Sequence, residues 1–258
     1  MRAYKFYQWF VPWLYLLGIL MMVELFIRIS RFPEYLLPTP SIVILEIWSK
    51  FPLILDHLAI TLSEAILGFI GGNICAILFG FLFSSCQPAR QGLYPIVVGM
   101  QAVPVVALAP FIIIWFGSGI TGKAIMAGLI CYFPATVIST DGFTKVNRDG
   151  LLLLESMGAG WWQIFKTLRL PSAIPGIMSA LQVSASLCTI GAVVAELAGA
   201  SKGVGYLIVR ASYEFRTPML FAVLSLTSLA TFFFFKTVQL IGEKYARKYS
   251  FSYSVPIY

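Results

Sequence analysis

With 258 residues, 59% of them hydrophobic and only 11% charged, the chain is too apolar for a soluble domain, where about a quarter of residues carry charge. Its mean hydropathy of +0.86 is that of an integral membrane protein. The net charge of +7 is scattered among loops rather than clustered, which fits topology signals and excludes a nucleic-acid surface.

A helical span needs about 20 apolar residues. Stretches 10–27 (interrupted by Glu24), 65–89, 91–122, 124–140, 172–195 and 218–235 qualify, so the sequence predicts about six transmembrane helices, the fourth at the short end. Alternating ten-residue runs, the mark of a membrane barrel, are absent, and the fold class is all-α integral membrane. Arg2 and Lys5 precede a long, bulky first run without a small-x-small cleavage site, which reads as a retained span. With that end inside, Arg90, Lys145, Arg148, Lys166, Arg169, Lys244, Arg247 and Lys248 fall in the cytoplasm. Arg31, Lys50, Lys123, Lys202, Arg210 and Arg216 then fall outside.

After the first span, Pro38 and Pro40 forbid continuous helix, and Ser41 reads as the N-cap of a short amphipathic helix to Lys50 along the outer membrane surface. Gly68 and Gly72 give the second span a close-packing face. The third stretch is too long for one straight helix and holds Pro95, Pro104 and Pro110. Broken helix at membrane depth must lie against protein or a water-filled cavity, so Gln101, Pro104 and Pro110 are candidates for a translocation pathway. Residues 117–123 satisfy G-x-x-x-x-G-K, yet Ala124 stands where a phosphate loop needs Ser or Thr, and no strand precedes it. That segment reads as a tight turn.

In the fifth span Gly176, Ala180, Ser184, Cys188 and Ala192 recur every four residues, a stripe suited to close contact within the bundle or across a dimer axis. Ser184 and Cys188 join the pathway candidates. Glu24, Glu64 and Glu196 are acids near the outer ends of spans, where ionised groups are functional candidates by default. Glu196 is the strongest, as a pathway or gate residue or as a structural hydrogen-bonding group, and GASKGVGYL after it reads as a Gly-rich outer loop. Cys75, Cys86, Cys131 and Cys188 lack metal-ligand spacing, and His57 is the lone histidine, so no metal site is expected.

Between the fourth and fifth spans, residues 149–171 read as two short helices hinged at Gly158, with Pro171 opening the next element. Trp161, Ile164, Phe165 and Leu168 recur at helical spacing, opposite Gln163, Lys166 and Arg169. An apolar helix face outside the bilayer calls for a partner.

Residues 157–171, MGAGWWQIFKTLRLP, resemble the EAA loop of ABC-importer permeases, whose hallmark here falls on Gly158, Leu168, Leu170 and Pro171. LLPTPS at 36–41, the P-x-x-A-x-x-P…WFGSG run at 104–119 and AELAGASKGVGYL at 195–207 are similar to the nitrate/sulfonate/taurine/bicarbonate branch. The 151–154 leucine run and SMGAG resemble members handling thiamine or pyrimidine precursors. The family's loop glutamate is replaced by Leu152, with Glu155 the nearest acid.

The resemblance implies a type I importer-like bundle in the bacterial inner membrane, with both termini cytoplasmic and residues 1–258 forming a single permease domain. It implies pairing with a second permease copy and two cytoplasmic ATPases, which bind the ATP and Mg. An external binding protein would deliver a small polar or anionic solute, and this chain would hold no cofactor and do no catalysis. Docking to the ATPase would fall on Leu151, Leu152, Leu153, Leu154, Glu155, Gly158 and Ala159. Trp161, Ile164, Phe165, Leu168, Leu170 and Pro171 complete that surface. A stand-alone secondary transporter or channel is the alternative, but inverted repeats and central charges are not visible in the sequence.

Overall fold

Pro40 opens the longest helix of the chain from its first turn, where a missing N–H breaks no intrahelical bond. The computed structural model describes residues 2–250, with side chains described for residue 11 and for residues 14–245. Arg2, Lys5, Arg247 and Lys248, read above as topology signals, lie outside the described side chains. In chain order the helices are α1 Arg2–Ser30, α2 Pro40–Ser85, α3 Gln87–Gly92, α4 Tyr94–Met100, α5 Ala109–Phe116 and α6 Ile120–Thr144. They continue as α7 Arg148–Ser156, α8 Trp161–Ile164, α9 Leu170–Leu197, α10 Val204–Tyr213 and α11 Thr217–Ser250. A 3-10 turn, Val105–Leu108, precedes α5, and a π turn, Phe165–Arg169, joins α8 to α9. No strand occurs among the described residues, so the fold is all-α.

Pro40–Ser85, Ile120–Thr144, Trp161–Leu197 and Thr217–Tyr245 are long and apolar enough to cross a membrane. Gln87–Met100 and Val105–Phe116, bent by 89° at their junction, make a further span if counted together.

The centre is built from α2, α6 and α9, and small residues let their backbones meet. A Cβ on Gly68 would lie 2.6 Å from the Ala124 carbonyl oxygen, and one on Gly72 would lie 2.6 Å from that of Gly128. On α9, a Cβ on Gly176 would meet the Gly142 Cα at 2.6 Å and one on Gly191 the Ala127 Cα at 2.7 Å. Lipid tails are as apolar as leucine, so such van der Waals contact is what holds helices together in a bilayer. The every-fourth-residue stripe of α9 is spent here. Ala180 packs with Ala76 and Ala135, and Cys188 and Ala192 pack with Ala65, Ala127 and Cys131. Ser184 donates to Asn73 Oδ1 at 2.8 Å. Of the two uses the sequence left open for the stripe, the fold takes contact within the bundle.

Several expectations change. The surface helix to Lys50 and the second span are one element, α2, of 46 residues with Pro52 inside it. At about 1.5 Å per residue α2 runs to roughly 69 Å, well beyond a hydrocarbon core of about 30 Å. Its N-cap is Thr39 rather than Ser41. Ser41 lies in the first turn, where its N–H and hydroxyl both donate to Glu24 of α1, at 3.0 and 2.8 Å. A carboxylate at a helix N-terminus meets unpaired N–H groups and a favourable dipole, which accounts for Glu24 in an apolar run.

The third stretch is broken, as its prolines led the sequence reading to expect. Pro95 and Pro110 fall in the first turns of α4 and α5, and Pro104 precedes the 3-10 turn, so each proline opens a short element. Gly117, at φ +81°, turns the chain, and α6 starts at Ile120, giving a fourth span of 25 residues. Lys123 therefore sits in the first turn of a buried helix instead of an outer loop. The Gly-rich stretch after Glu196 also contains a helix, α10, whose Val204 and Leu207 pack on Ile54, Leu58, Met219 and Val223.

The packing makes a paired test. Gly72→Leu drives a side chain into α6 and is expected to cost about 1–3 kcal/mol. Gly71→Leu, one residue away with nothing within 4 Å of its Cβ position, leaves stability unchanged, as read by thermal unfolding in lipid nanodiscs.

Candidate functional site

At one end of the bundle the chain between α6 and α9 builds a folded surface. Asn147 caps α7, its Oδ1 accepting from the N–H of Asp149 at 2.9 Å and of Gly150 at 3.3 Å. Asp149 in the first turn complements the helix dipole. α7 stops in a Schellman motif: Gly158 takes φ +73°, its N–H donates to the Glu155 carbonyl and that of Ala159 to Leu154, each at 3.0 Å. That left-handed residue is the hinge expected at Gly158. The chain restarts with Gln163 Oε1 accepting from Gly160 N–H at 2.9 Å, then runs through α8 into the π turn.

Pro171 explains the π turn. It has no N–H to give, and its ring would crowd the carbonyl four residues back. Leu170 N–H reaches back to the Phe165 carbonyl instead, and the widened turn accepts the proline without breaking the helix. The result is one continuous apolar rod, Trp161–Leu197.

Ile164, Phe165 and Leu168 of the second loop helix turn inward, contrary to the expectation of a free docking face, while Trp161 at the head of the stripe stays exposed. Ile164 and Leu168 are 9% and 6% exposed, and Leu168 lies over Gly150. Phe165, half-buried, packs edge-on against Phe81 at 5.1 Å and stacks with Trp161 at 5.6 Å. Helical spacing shows that a face is apolar but not which surface covers it; here Phe165 is covered by Phe81 of α2 and the cluster holding Phe143 of α6, and Leu168 by Gly150 of α7. The free apolar surface lies on α7 and the turn after it, with Leu153 at 61% and Met157 at 74% exposed. Leu152, Trp161 and Trp162 extend it, and Lys166 lies over the Trp162 ring at 5.7 Å. Leu151, Leu154, Ala159 and Pro171 are half-buried, while Glu155, Gly158 and Leu170 are exposed. Leu152 and Leu153 belong to the docking set expected from the sequence, and Met157, one turn after Leu153, is the exposed residue that set left out.

At the far end of the bundle sits a second constellation. Glu196, at the end of α9, is fully buried; it accepts from Thr61 Oγ1 at 2.7 Å and from Gly205 N–H at 2.6 Å. Thr61 Oγ1 in turn accepts from Val204 N–H at 2.9 Å, and His57 Nδ1 accepts from Gly203 N–H at 2.9 Å. The GVG sequence is what lets the backbone wrap the carboxylate. Gly203 has φ +107°, a Cβ there would collide with the Glu196 carboxylate, and one on Gly205 would lie 2.5 Å from the Glu196 Cβ. Beside this clasp, Lys123 Nζ meets Glu64 Oε1 at 2.8 Å, both side chains buried. Sequence reasoning placed Lys123 in solvent. The missed signal was Glu64 itself, since an acid in an apolar span demands a cation.

The pathway candidates separate. Ser184, Cys188 and Glu196 are sealed in contacts of the bundle, while Gln101, Pro104 and Pro110 are exposed on the bent segment. A groove of about 570 Å³ opens between α9 and α11, lined in part by Thr189, Thr227 and Thr231. Each of those hydroxyls donates to a carbonyl of its own helix, which leaves the groove wall apolar.

The fold and the loop are those of a multi-pass membrane permease. Residues 72–248 match the family described as "Binding-protein-dependent transport system inner membrane component", and the chain belongs to that family. It is the permease subunit of an ABC importer of the sulfonate/taurine branch. It is 35% identical to the formylaminopyrimidine transport permease protein ThiX of Halalkalibacterium halodurans, over 86% of this chain and 89% of that one. It is 27% identical to the taurine transport system permease protein TauC of Escherichia coli, over 69% of this chain and 64% of that one. Among solved structures, a chain of the MetNI methionine ABC transporter in inward-facing conformations matches with a TM-score of 0.65 at 18% identity. That likeness, over 78% of this chain and 98% of the other, is one of fold.

The buried ion pair predicts a strongly non-additive mutant cycle. Lys123→Met leaves Glu64 without its counter-ion and costs about 3–5 kcal/mol, whereas Lys123→Met with Glu64→Met recovers most of the loss in thermal unfolding.

Proposed function

We propose that this permease lies with its α7–α8 loop in the cytoplasm, where the loop grips an ABC ATPase and carries that subunit's closing motion into the bundle along α9. The exposed patch of Leu152, Leu153, Met157, Trp161 and Trp162 is the observation that carries the reading. An apolar patch outside the bilayer, on a segment that also carries Lys145, Arg148, Lys166 and Arg169, fits a protein groove better than water, and those cations favour the cytoplasmic side. Both termini then lie inside, and the far end with Glu196 lies outside.

The inward stripe refines the mechanism suggested by the sequence. Leu152, Leu153 and Met157 form the grip, while buried Ile164 and Leu168 hold the loop together and Phe165 bolts it to α2 and α6. A push on the grip is delivered to α9 because the π turn keeps the helix continuous through Pro171. ATP and Mg belong to the partner subunit, which performs the hydrolysis; this chain contributes no catalytic group. A second copy of the permease completes the pathway, and the bent 101–110 segment with Gln101, Pro104 and Pro110 is its candidate lining. A binding protein hands over the solute. The named relatives carry a formylaminopyrimidine and taurine, which supports a small polar cargo.

The test separates grip from bolt. Leu153→Asp with Met157→Asp is expected to lower transport-coupled ATP hydrolysis by at least about tenfold, the equivalent of about 1.4 kcal/mol of docking, with the melting temperature unchanged. Ile164→Asp instead lowers the melting temperature. Full-rate transport by the double variant would refute the docking assignment.

A further inference from the structure

Three helices bring buried ionisable side chains to the far end of the bundle: Glu64 of α2 pairs with Lys123 of α6, and Glu196 of α9 is bonded to Thr61, one turn before Glu64 on α2. The two oxygens of Glu196 already have donors, the Thr61 hydroxyl and the Gly205 N–H. Glu64 Oε1 has the Lys123 ammonium. Glu64 Oε2 is buried and has no hydrogen-bond partner, and Glu64 lies one turn along α2 from Thr61, the residue that donates to Glu196. A buried oxygen of this kind is costly, and each such atom in a native protein calls for an explanation.

Charge counting gives the same answer from another direction. Two carboxylates and one ammonium leave one negative charge in excess where water is excluded, and like charges in contact cannot both stay ionised. Among the described residues Lys123 is the one buried Lys or Arg, and Lys202, just before the clasp, is exposed. The only Arg on α10, Arg210, is exposed and pairs with Glu214 at 2.8 Å. His57 of α2 presents Nδ1 as an acceptor to Gly203 N–H, with its ring stacked on Tyr206 at 5.7 Å. The partial charge of the α10 N-terminus reaches Glu196 through the Gly205 N–H, a bond already counted.

We infer that Glu64 and Glu196 bind one proton between them, held on the line from Glu64 Oε2 to the Glu196 carboxylate. The proton gives the orphaned oxygen its partner and makes the three-residue cluster neutral. It comes from solvent and returns there; no other bond is made or broken. Because Glu196 ends the rod that starts at Trp161, any shift of α9 away from α2 parts the two carboxyls and frees the proton. The clasp over Gly203–Val204–Gly205 is thus a proton site coupled to closure of the far end.

The experiment is infrared spectroscopy of the full-length chain in lipid nanodiscs at neutral pH. The wild type is expected to show the carbonyl stretch of a protonated carboxylic acid. Glu64→Gln and Glu196→Gln each lose that band, while Glu155→Gln, at an exposed acid, keeps it. Glu64→Gln puts a permanent donor where the proton sits, so it keeps its melting temperature in alkaline buffer, where the wild type loses stability. A wild type without the band, or a band that survives both cluster substitutions, overturns the proposal. The spectrum is read without ATPase or solute, so such a result leaves the docking assignment untouched.

Discussion

The close approach of α2, α6 and α9 is the constraint on which everything else rests. Where Gly68 and Gly72 meet α6, and Gly176 meets Gly142, backbone touches backbone. A bilayer gives helices no hydrophobic reason to associate, so this contact and the few interhelical hydrogen bonds, such as Ser184 to Asn73, hold the centre. Once the three axes are fixed, both ends follow. The same triad that places Phe81 and Phe143 beneath the loop sets Glu64 against Lys123 and Thr61 against Glu196.

α9 belongs to both ends. It leaves the loop through a π turn that absorbs Pro171 and ends at a carboxylate wrapped by the start of α10. Its middle is pinned by small side chains against two neighbours. A helix so held moves as a body or not at all, which suits an element that transmits force. The surface salt bridges of the far end contribute little by comparison, because exposed pairs are worth about 0–1 kcal/mol. Arg210 holds the Glu214 carboxyl below the usual carboxylate range, but both side chains stand in water.

Much of this was legible in the residues. The Schellman glycine, the two-part loop, the close-packing glycines of α2 and the proline-broken third stretch are local properties, fixed by backbone sterics and by spacing. The candidate site was only half legible. Ile164 and Leu168 looked like a docking face because periodicity is blind to what lies opposite. Lys123 looked like an outer-loop charge because four residues decide whether it precedes α6 or begins it, and helix ends are poorly marked where no cap stands.

The sequence alone determined an all-α membrane protein with a structured loop, since apolar length and turn chemistry are carried by each segment independently. Only the tertiary structure decided that α9's small stripe faces inward, that α7 supplies the free apolar surface, and that Glu64 meets Lys123 and Thr61 meets Glu196 in the interior. Those facts join residues up to 135 positions apart, such as Thr61 and Glu196, and a relation of that kind exists only once the helices have packed.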